Sequence, residues 1–292
     1  MPPIPACPLC GDLSISRGSK RRPGRFQCTN AGCPINYFSS RGEDYKGPHT
    51  QPRLLSLDVE TLPGKFYSWS PAVDYLGRHM MIEDWSLLSF SAKWVGDDKI
   101  ISSVLTPEEA IKRDDRRLSI QIQGLLDRAH TAITHNGRRF DIKKINTRLW
   151  KHKLQKPSDY RVIDTLVTAK TMFGLSYNTM DFIAEFMERD QKLDHAWGLW
   201  EGADHGDPVS LAAILEYNDQ DVRTQEQIYM EMRPWIRGHP NLAIIAGTPN
   251  ACPVCLHKGH KHIGYHYTNK KAYKEYRCNH CGSTWHNAKA EK

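Results

Sequence analysis

Eight cysteines in two groups of four limit what the two ends of this chain can fold into. The first group is C-x2-C-x17-C-x4-C, formed by Cys7, Cys10, Cys28 and Cys33. The second is C-x2-C-x22-C-x2-C, formed by Cys252, Cys255, Cys278 and Cys281. A C-x2-C turn directs two sulfurs at one point, and two pairs of cysteines complete a tetrahedral metal site. We therefore predict one structural Zn²⁺ in each group.

A secreted disulfide framework and a redox-active pair are the alternatives for these cysteines. The sequence begins MPPIPACPLC, without the basic and apolar regions of a secretory signal, which argues against disulfides. The repetition of a four-cysteine pattern argues against a redox pair. No run of about 18 apolar residues occurs, so we expect no membrane span and a cytoplasmic protein.

The positive charge of the chain is concentrated at its two ends. Residues 1–53 hold 8 Lys and Arg against 3 Asp and Glu, and residues 248–292 hold 8 against 2. The whole chain has 40 basic and 33 acidic residues, so its middle part is net negative. Basic ends indicate contact with the phosphates of a nucleic acid, although a need for solubility produces the same pattern.

A length of 292 residues suggests about two domains, to which the cysteine groups add small units. We predict an N-terminal zinc ribbon over residues 1–47, a central domain over 54–236 and a C-terminal zinc ribbon over 248–292. The N-terminal unit is too short to bury enough surface by itself, so the metal must supply much of its stability.

Short apolar segments and helical patterns alternate in the central domain. The predicted strands are at about 54–59, 87–92, 99–105, 131–135 and 160–163. The predicted helices are at about 106–128, 142–151, 165–172, 179–188 and 208–232. Three strands followed by alternating helices and strands indicate an α/β fold with a mixed five-stranded sheet.

Three acidic motifs stand at informative places in these elements. Asp58 and Glu60 end the first strand, and residues two apart on a strand project from the same face. Asp141 follows a strand end and a Gly turn, where a helix begins. Tyr217 and Asp221 lie four residues apart on one face of the last long helix. Each motif alone has an ordinary explanation as a cap or a solvated acid, whereas the ordered set is specific.

The ordered acids, with Tyr217 four residues before the last of them, resemble the DEDDy branch of the DEDD exonuclease superfamily. That family contains the proofreading domains of DNA polymerases and stand-alone 3′–5′ exonucleases with an RNase H-like fold. The resemblance covers residues 54–232 and includes the N-x3-F-D and Y-x3-D forms of the second and third motifs. Glu216 stands where the sister DEDDh branch has a histidine. The C-terminal part is similar to phage-encoded exonucleases with zinc ribbons.

The resemblance implies two Mg²⁺ or Mn²⁺ ions bound by four carboxylates. Asp58 would bridge both ions, Glu60 and Asp221 would bind the first, and Asp141 would hold the second. Two such cations about 3.5–4 Å apart activate a water and stabilise the departing 3′ oxygen. Hard cations of this kind prefer carboxylate oxygens. Tyr217 would orient the attacking water.

Four further residues are candidate substrate contacts. Thr61, Leu62 and Phe140 stand where this family contacts the terminal nucleotide. Leu62 would wedge against the last base, with ordinary packing as the alternative. Asn136 would contact the substrate or hold the turn of the second motif.

The resulting expectation is a metal-dependent 3′–5′ exonuclease acting on single-stranded or frayed DNA, with zinc ribbons that aid nucleic-acid binding. Basic and aromatic residues interleave in the C-terminal unit, which suits single-stranded nucleic acid, with a stabilising or protein-docking ribbon as the alternative. A replication polymerase in trans is the implied partner, and the host cytoplasm the location if a phage encodes the chain. An exoribonuclease on the same core, a non-catalytic nucleic-acid-binding adaptor and a structure-selective endonuclease remain open.

Overall fold

A computed structural model describes residues 51–70, 72–73, 75–189, 198–287 and 289, together with the backbone of three short strands near the N-terminus. These strands are β1 (Ile15–Arg17), β2 (Arg25–Cys28) and β3 (Phe38–Ser39). They pair antiparallel in the order β1-β2-β3. The side chains of the first cysteine group lie outside the described residues, so the N-terminal zinc site stays a prediction.

The centre of the molecule is a mixed five-stranded sheet. Its strands are β4 (Leu54–Leu62), β7 (Ser86–Trp94), β8 (Ile100–Val104), β9 (Thr131–Thr134) and β10 (Arg161–Asp164). Their order is β10-β9-β4-β7-β8, with β4, β9 and β10 parallel and β7 antiparallel to both of its neighbours. The predicted mixed five-stranded sheet is therefore confirmed. Between β4 and β7, a small hairpin is formed by β5 (Lys65–Phe66) and β6 (Met81–Glu83), with a 3-10 turn at Arg78–Met80.

Helices flank this sheet. They are α1 (Pro107–Lys112), α2 (Arg116–Arg128), α3 (Asp141–Lys151), α4 (Thr165–Met172), α5 (Met180–Phe186), α6 (Gly198–Asp204), α7 (Pro208–Met232) and α8 (Leu242–Ile245). A 3-10 turn at Arg233–Trp235 follows α7. Because helices cover the sheet, β4 and β7 are buried along most of their length, including their serine residues.

Helix α7 is the longest helix and the one that matters most for the site. It begins sharply because Asp207 caps it, accepting a hydrogen bond from the Ser210 backbone N–H, and because Pro208 occupies its first turn. It packs across β4, β7, β8 and β9. A polar side chain on its inner face therefore reaches the middle of the sheet.

The single helix predicted over 106–128 is wrong, since the structure has two helices there. Arg113 ends α1 in the left-handed conformation, and its guanidinium donates to the backbone oxygens of Pro63 and Asp84. Asp115, fully buried between the helices, accepts from the Leu87 backbone N–H at 2.8 Å and from Arg148 Nη2 at 2.8 Å. These distant contacts stabilise a break that local helix propensity does not predict.

The C-terminal unit is a three-stranded antiparallel sheet with a cysteine cluster at one end. Its strands are β11 (His260–Tyr267), β12 (Ala272–Cys278) and β13 (Thr284–His286), in that order. The unit is attached to the central domain by a hydrogen bond of 2.7 Å from the Leu242 N–H to the Pro253 oxygen and by Leu256, which packs against the core. Throughout the described residues, no helix is both long and apolar enough to cross a bilayer.

Candidate active site and metal-binding sites

Strand β4 carries the first two acids into an open cleft. Asp58 and Glu60 are half-buried and occupy alternate positions of the strand, so both project from one face of the sheet. The pairing of β4 with β7 shifts register directly after Glu60. Such irregularities commonly redirect side chains beside functional sites.

Helix α7 adds the third acid to this pair. One carboxylate oxygen from each of Asp58, Glu60 and Asp221 lies within 4.8 Å of the other two. The oxygens around one Mg²⁺ lie about 3–4 Å apart, because each Mg–O bond is about 2.1 Å long. Small side-chain adjustments therefore bring these three oxygens to one ion, and hard divalent cations fit this donor set.

A buried amide holds Asp58 in place. Asn218 Nδ2 donates to Asp58 Oδ2 at 2.6 Å, and Asn218 Oδ1 accepts from Ser89 Oγ at 3.1 Å. Both polar ends of the amide are thus used, which fixes the orientation of the Asp58 carboxylate. A fixed carboxylate needs less reorganisation when it binds a cation.

Sequence reasoning missed Asn218, although a signal exists. Asn218, Asp221 and Gln225 are spaced i, i+3 and i+7 and are all buried, so they form a polar stripe on the inner face of α7. Buried polar side chains need partners. A polar stripe on the face of a helix that packs against a sheet therefore indicates a buried hydrogen-bond network and not an ordinary hydrophobic core.

Asp141 lies beside the three-acid cluster, at the start of α3. It is buried, and its Oδ1 accepts from the Val59 N–H at 3.1 Å. Burial raises the pKa of Asp141 to about 7; backbone hydrogen bonds oppose this, and the charges of Asp164 and Asp221 add to it. Without a cation, the fourth acid therefore binds a proton at a far higher pH than an ordinary aspartate does.

The cleft that all four acids line has a volume of about 650 Å³. The loop that leads into α5 and the first residues of α5, together residues 176–181, form another wall. His135 joins this loop to the sheet, since its Nδ1 lies 2.8 Å from Thr165 Oγ1 and its Nε2 3.0 Å from the Asn178 oxygen. With both ring nitrogens engaged, His135 has a positioning role.

A tight turn leads from β9 to Asp141. Asn136 adopts the left-handed conformation with φ 67°, and a Cβ on Gly137 would overlap the Thr134 side chain. Asp164 closes the turn, because its two carboxylate oxygens accept from the N–H groups of Asn136 at 3.0 Å and Arg138 at 3.1 Å. The sequence of this turn is thus set by close packing as well as by chemistry.

The structure brings some of the predicted contacts to the cleft and leaves others outside it. Asn136 and Phe140 line the cleft, whereas Thr61, Leu62 and Tyr217 are not among the described residues that line it. Leu62 has 0% exposure and belongs to the hydrophobic core. Tyr217 is 5% exposed, and its ring packs edge to face against that of Trp200, with the ring centroids 6.0 Å apart.

The four C-terminal cysteines converge on one point. The Sγ atoms of Cys252 and Cys281 are 3.7 Å apart, and those of Cys255 and Cys278 are 3.6 Å apart. Four Zn–S bonds of about 2.3 Å in a tetrahedron place the sulfurs about 3.8 Å from one another. Backbone N–H groups also donate to Cys252 and Cys278 at 3.4 Å each. The cluster therefore has the donor set and the spacing that Zn²⁺ requires.

One family model matches the central part of the chain. Residues 89–233 match a family model described as the RNase_H superfamily. No curated protein matches the chain. Among solved structures, the family B DNA polymerase from the hyperthermophilic archaeon Pyrobaculum calidifontis is similar at 14% identity and a TM-score of 0.49, over 69% of this chain and 28% of that chain. The present chain thus spans less than a third of that polymerase's length.

The matched segment contains Asp141 and Asp221, and β4 with Asp58 and Glu60 precedes it in the chain, separated from it by the β5–β6 hairpin, but lies at the centre of the same sheet. The sheet order and the flanking helices are those of the RNase H-like α/β fold. The central part of this chain therefore has an RNase H-like α/β fold, and residues 89–233 are similar to the RNase_H superfamily.

Proposed function

We propose that this protein is a metal-dependent 3′–5′ exonuclease that removes nucleotides from single-stranded or frayed 3′ ends of DNA. The observation that carries the proposal is the gathering of Asp58, Glu60 and Asp221 in an open cleft, with Asp141 beside them. The central strand of an RNase H-like sheet carries Asp58 and Glu60. The 3′–5′ direction and the preference for DNA rest on the resemblance to the DEDDy family.

The proposed cofactors are two Mg²⁺ or Mn²⁺ ions. Asp58, Glu60 and Asp221 would hold the first, and Asp58 with Asp141 the second. Bound divalent cations lower the pKa of water and stabilise charge on the leaving oxygen. The protein's part is to fix the carboxylates, which the Asn218 amide does for Asp58 and the Val59 N–H for Asp141.

The other residues of the proposed site act on the substrate. Asn136 and Phe140 lie on the cleft wall, where they would contact the terminal nucleotide. Tyr217, about one helical turn before Asp221, is proposed to orient the attacking water. A polymerase acting in trans is the partner that a proofreading role implies.

Digestion of a 5′-labelled single-stranded DNA with Mg²⁺ or Mn²⁺ tests the proposed activity. We expect a ladder that shortens from the 3′ end, and no cleavage of a circular single strand, which has no end. Cleavage of the circle would make the protein an endonuclease. Degradation of a matching RNA with the DNA left intact would make it an exoribonuclease, and binding to either without cleavage would make it an adaptor.

We further propose that the C-terminal ribbon holds the substrate strand. One face of its sheet carries a continuous set of aromatic rings, formed by His260, His262, Tyr265, Tyr267, Tyr276 and Trp285. The rings of Tyr265 and Tyr267 are 6.4 Å apart, and Tyr267 is 73% exposed. Exposed rings beside basic residues suit the stacking of unpaired bases without sequence preference.

The double variant Tyr265→Ala/Tyr267→Ala is expected to bind single-stranded DNA about tenfold more weakly or worse, because each stacked base contributes about 1–3 kcal/mol. Fluorescence anisotropy with an inactive Asp58→Asn background and Mg²⁺ measures this without digestion. Trp150→Ala, which removes an 84% exposed ring from α3, is the matched control. Equal affinity of the double variant and the control would show that the aromatic face does not bind the strand.

A further inference from the structure

A second cavity lies on the other side of the turn that carries Asn136. It has a volume of about 280 Å³ and is formed by β10, the first turn of α4 and the connector that follows the Arg233–Trp235 turn. Three arginines line it, namely Arg138, Arg161 and Arg237. None of the roles assigned above uses this cavity.

The arginines of this cavity keep their charge uncompensated. Within the described part of the chain, no ion pair involves any of the three. Arg138 Nη2 donates to the Val162 oxygen at 2.8 Å, and all three side chains are exposed. The cavity is therefore positively charged and open to a ligand.

The one acid in the cavity wall does not neutralise the arginines. Asp164 is 4% exposed, and its carboxylate oxygens accept from four backbone N–H groups, those of Asn136, Arg138, Leu166 and Val167. The carboxylate is thus bound by backbone N–H groups and forms no ion pair with the arginines among the described residues. Three guanidinium groups and one engaged carboxylate leave a net positive site.

The chemistry of this site selects a phosphate group. Arginine presents a planar set of donors that matches the oxygens of a phosphate, and it keeps its charge at any physiological pH. Val162, Ile163, Val167, Ile236 and Pro240 supply apolar wall between the arginines. Apolar wall suits the sugar beside a phosphodiester better than it suits a fully hydrated free anion.

The position of the cavity indicates which phosphate it takes. Asn136 lines the acidic cleft and Arg138, two residues later, lines the cavity, while Asp164 binds the N–H groups of both. A strand that leaves the cleft over this turn meets the arginines next. We infer that the cavity binds a backbone phosphate of the nucleic-acid strand whose 3′ end lies in the cleft, an inference that rests on the proposed function.

The double variant Arg161→Gln/Arg237→Gln tests this inference, and Arg138 is left intact because it also binds the Val162 oxygen. Affinity for a labelled single-stranded DNA 20-mer is measured by anisotropy over a series of KCl concentrations, in the Asp58→Asn background with Mg²⁺. We expect the affinity to fall about tenfold or more and the slope of log K against log [KCl] to decrease in magnitude by about one to two.

Arg223→Gln/Lys112→Gln is the matched control, since it removes two exposed positive charges from positions that do not line the cavity. A loss confined to the cavity variant supports the inference. Equal affinities and equal slopes in the two double variants overturn it. Titration of both double variants with inorganic phosphate tests whether the cavity binds a free phosphate ion instead of a backbone phosphate. Binding of free phosphate that depends on Arg161 and Arg237, with no change in DNA affinity, overturns the inference as well.

A parallel series with an RNA 20-mer separates this inference from the proposed function. A loss of RNA affinity in the cavity variant, with no DNA binding by any protein, supports the phosphate site and contradicts the preference for DNA. Binding of neither strand by the parent protein contradicts both proposals. Binding of DNA that is insensitive to the arginines leaves the exonuclease proposal standing and removes the phosphate site alone.

Discussion

Replacing Asp58 by asparagine is expected to lower the rate of nucleotide release from a DNA 3′ end at least about 10³-fold, or about 4 kcal/mol of transition-state stabilisation. Asparagine has the same shape and retains an oxygen that can accept from Asn218. The change therefore removes charge from the acid cluster without removing the side chain that fills the space. Single-turnover digestion with saturating Mg²⁺ or Mn²⁺ measures the loss.

Asp219→Asn is the matched control for this experiment. Asp219 lies on α7 two residues before Asp221, but its carboxylate accepts from Ser91 and is not one of the three clustered acids. We expect Asp219→Asn to keep close to the parent activity and both variants to keep their thermal stability. Activity of Asp58→Asn within tenfold of the parent would contradict a bridging role for Asp58.

The second large effect concerns stability and follows from the buried carboxyl of Asp141. Its pKa is about 7 in the folded protein without cations, against about 3.9 in an unfolded chain. Between these values the folded state binds the proton and the unfolded state does not. Folding stability therefore falls as the pH rises through this window. At pH 8, Asp141→Asn is expected to be more stable than the parent by up to about 4 kcal/mol. The parent loses this free energy when the buried Asp141 ionises, at about 1.4 kcal/mol for each of about three pKa units, and asparagine does not ionise.

Thermal unfolding at pH 4 and pH 8, in buffer lacking Mg²⁺ and Mn²⁺ but without a chelator, measures this difference and leaves the proposed zinc in place. The advantage of Asp141→Asn should be near zero at pH 4 and largest at pH 8. Added Mg²⁺ should stabilise the parent more than the variant, because an ion that binds only the folded state raises its stability. Asp98→Asn, in the exposed turn between β7 and β8, is the control. If the variant is no more stable than the parent at pH 8, burial of the ionised Asp141 carboxylate does not destabilise the folded protein.

The central sheet could be predicted from the sequence because its signals are local. Leu54–Val59 and Leu87–Ala92 are short, mainly apolar segments, and α7 begins with an aspartate cap and a proline. Hydrophobic periodicity and capping depend on residues a few positions apart. The positions of the four acids at a strand end, a turn and a helix follow from the same signals.

The parts that could not be predicted depend on contacts between distant residues. The break between α1 and α2 depends on Asp115, whose partners Leu87 and Arg148 lie 28 and 33 residues away. Asn218 lies 160 residues from Asp58, whose carboxylate it holds. The burial of Leu62 in the core likewise depends on how the sheet is covered. A local pattern such as the polar stripe of α7 indicates that Asn218 is buried, but it does not identify the distant partner.

Helix α7 also sets the time at which the acid cluster can first exist. Asp58 and Glu60 precede Asp221 by more than half of the chain, and Asn218 orients Asp58 from the same helix. Chains emerge from the ribosome N-terminus first, and domains fold as units once their parts are available. A nascent chain thus carries its first two acids for most of its synthesis with no third acid to complete the site. Any activity that needs the cluster is therefore withheld until α7 has been made, and a chain that ends before Asp221 cannot have it.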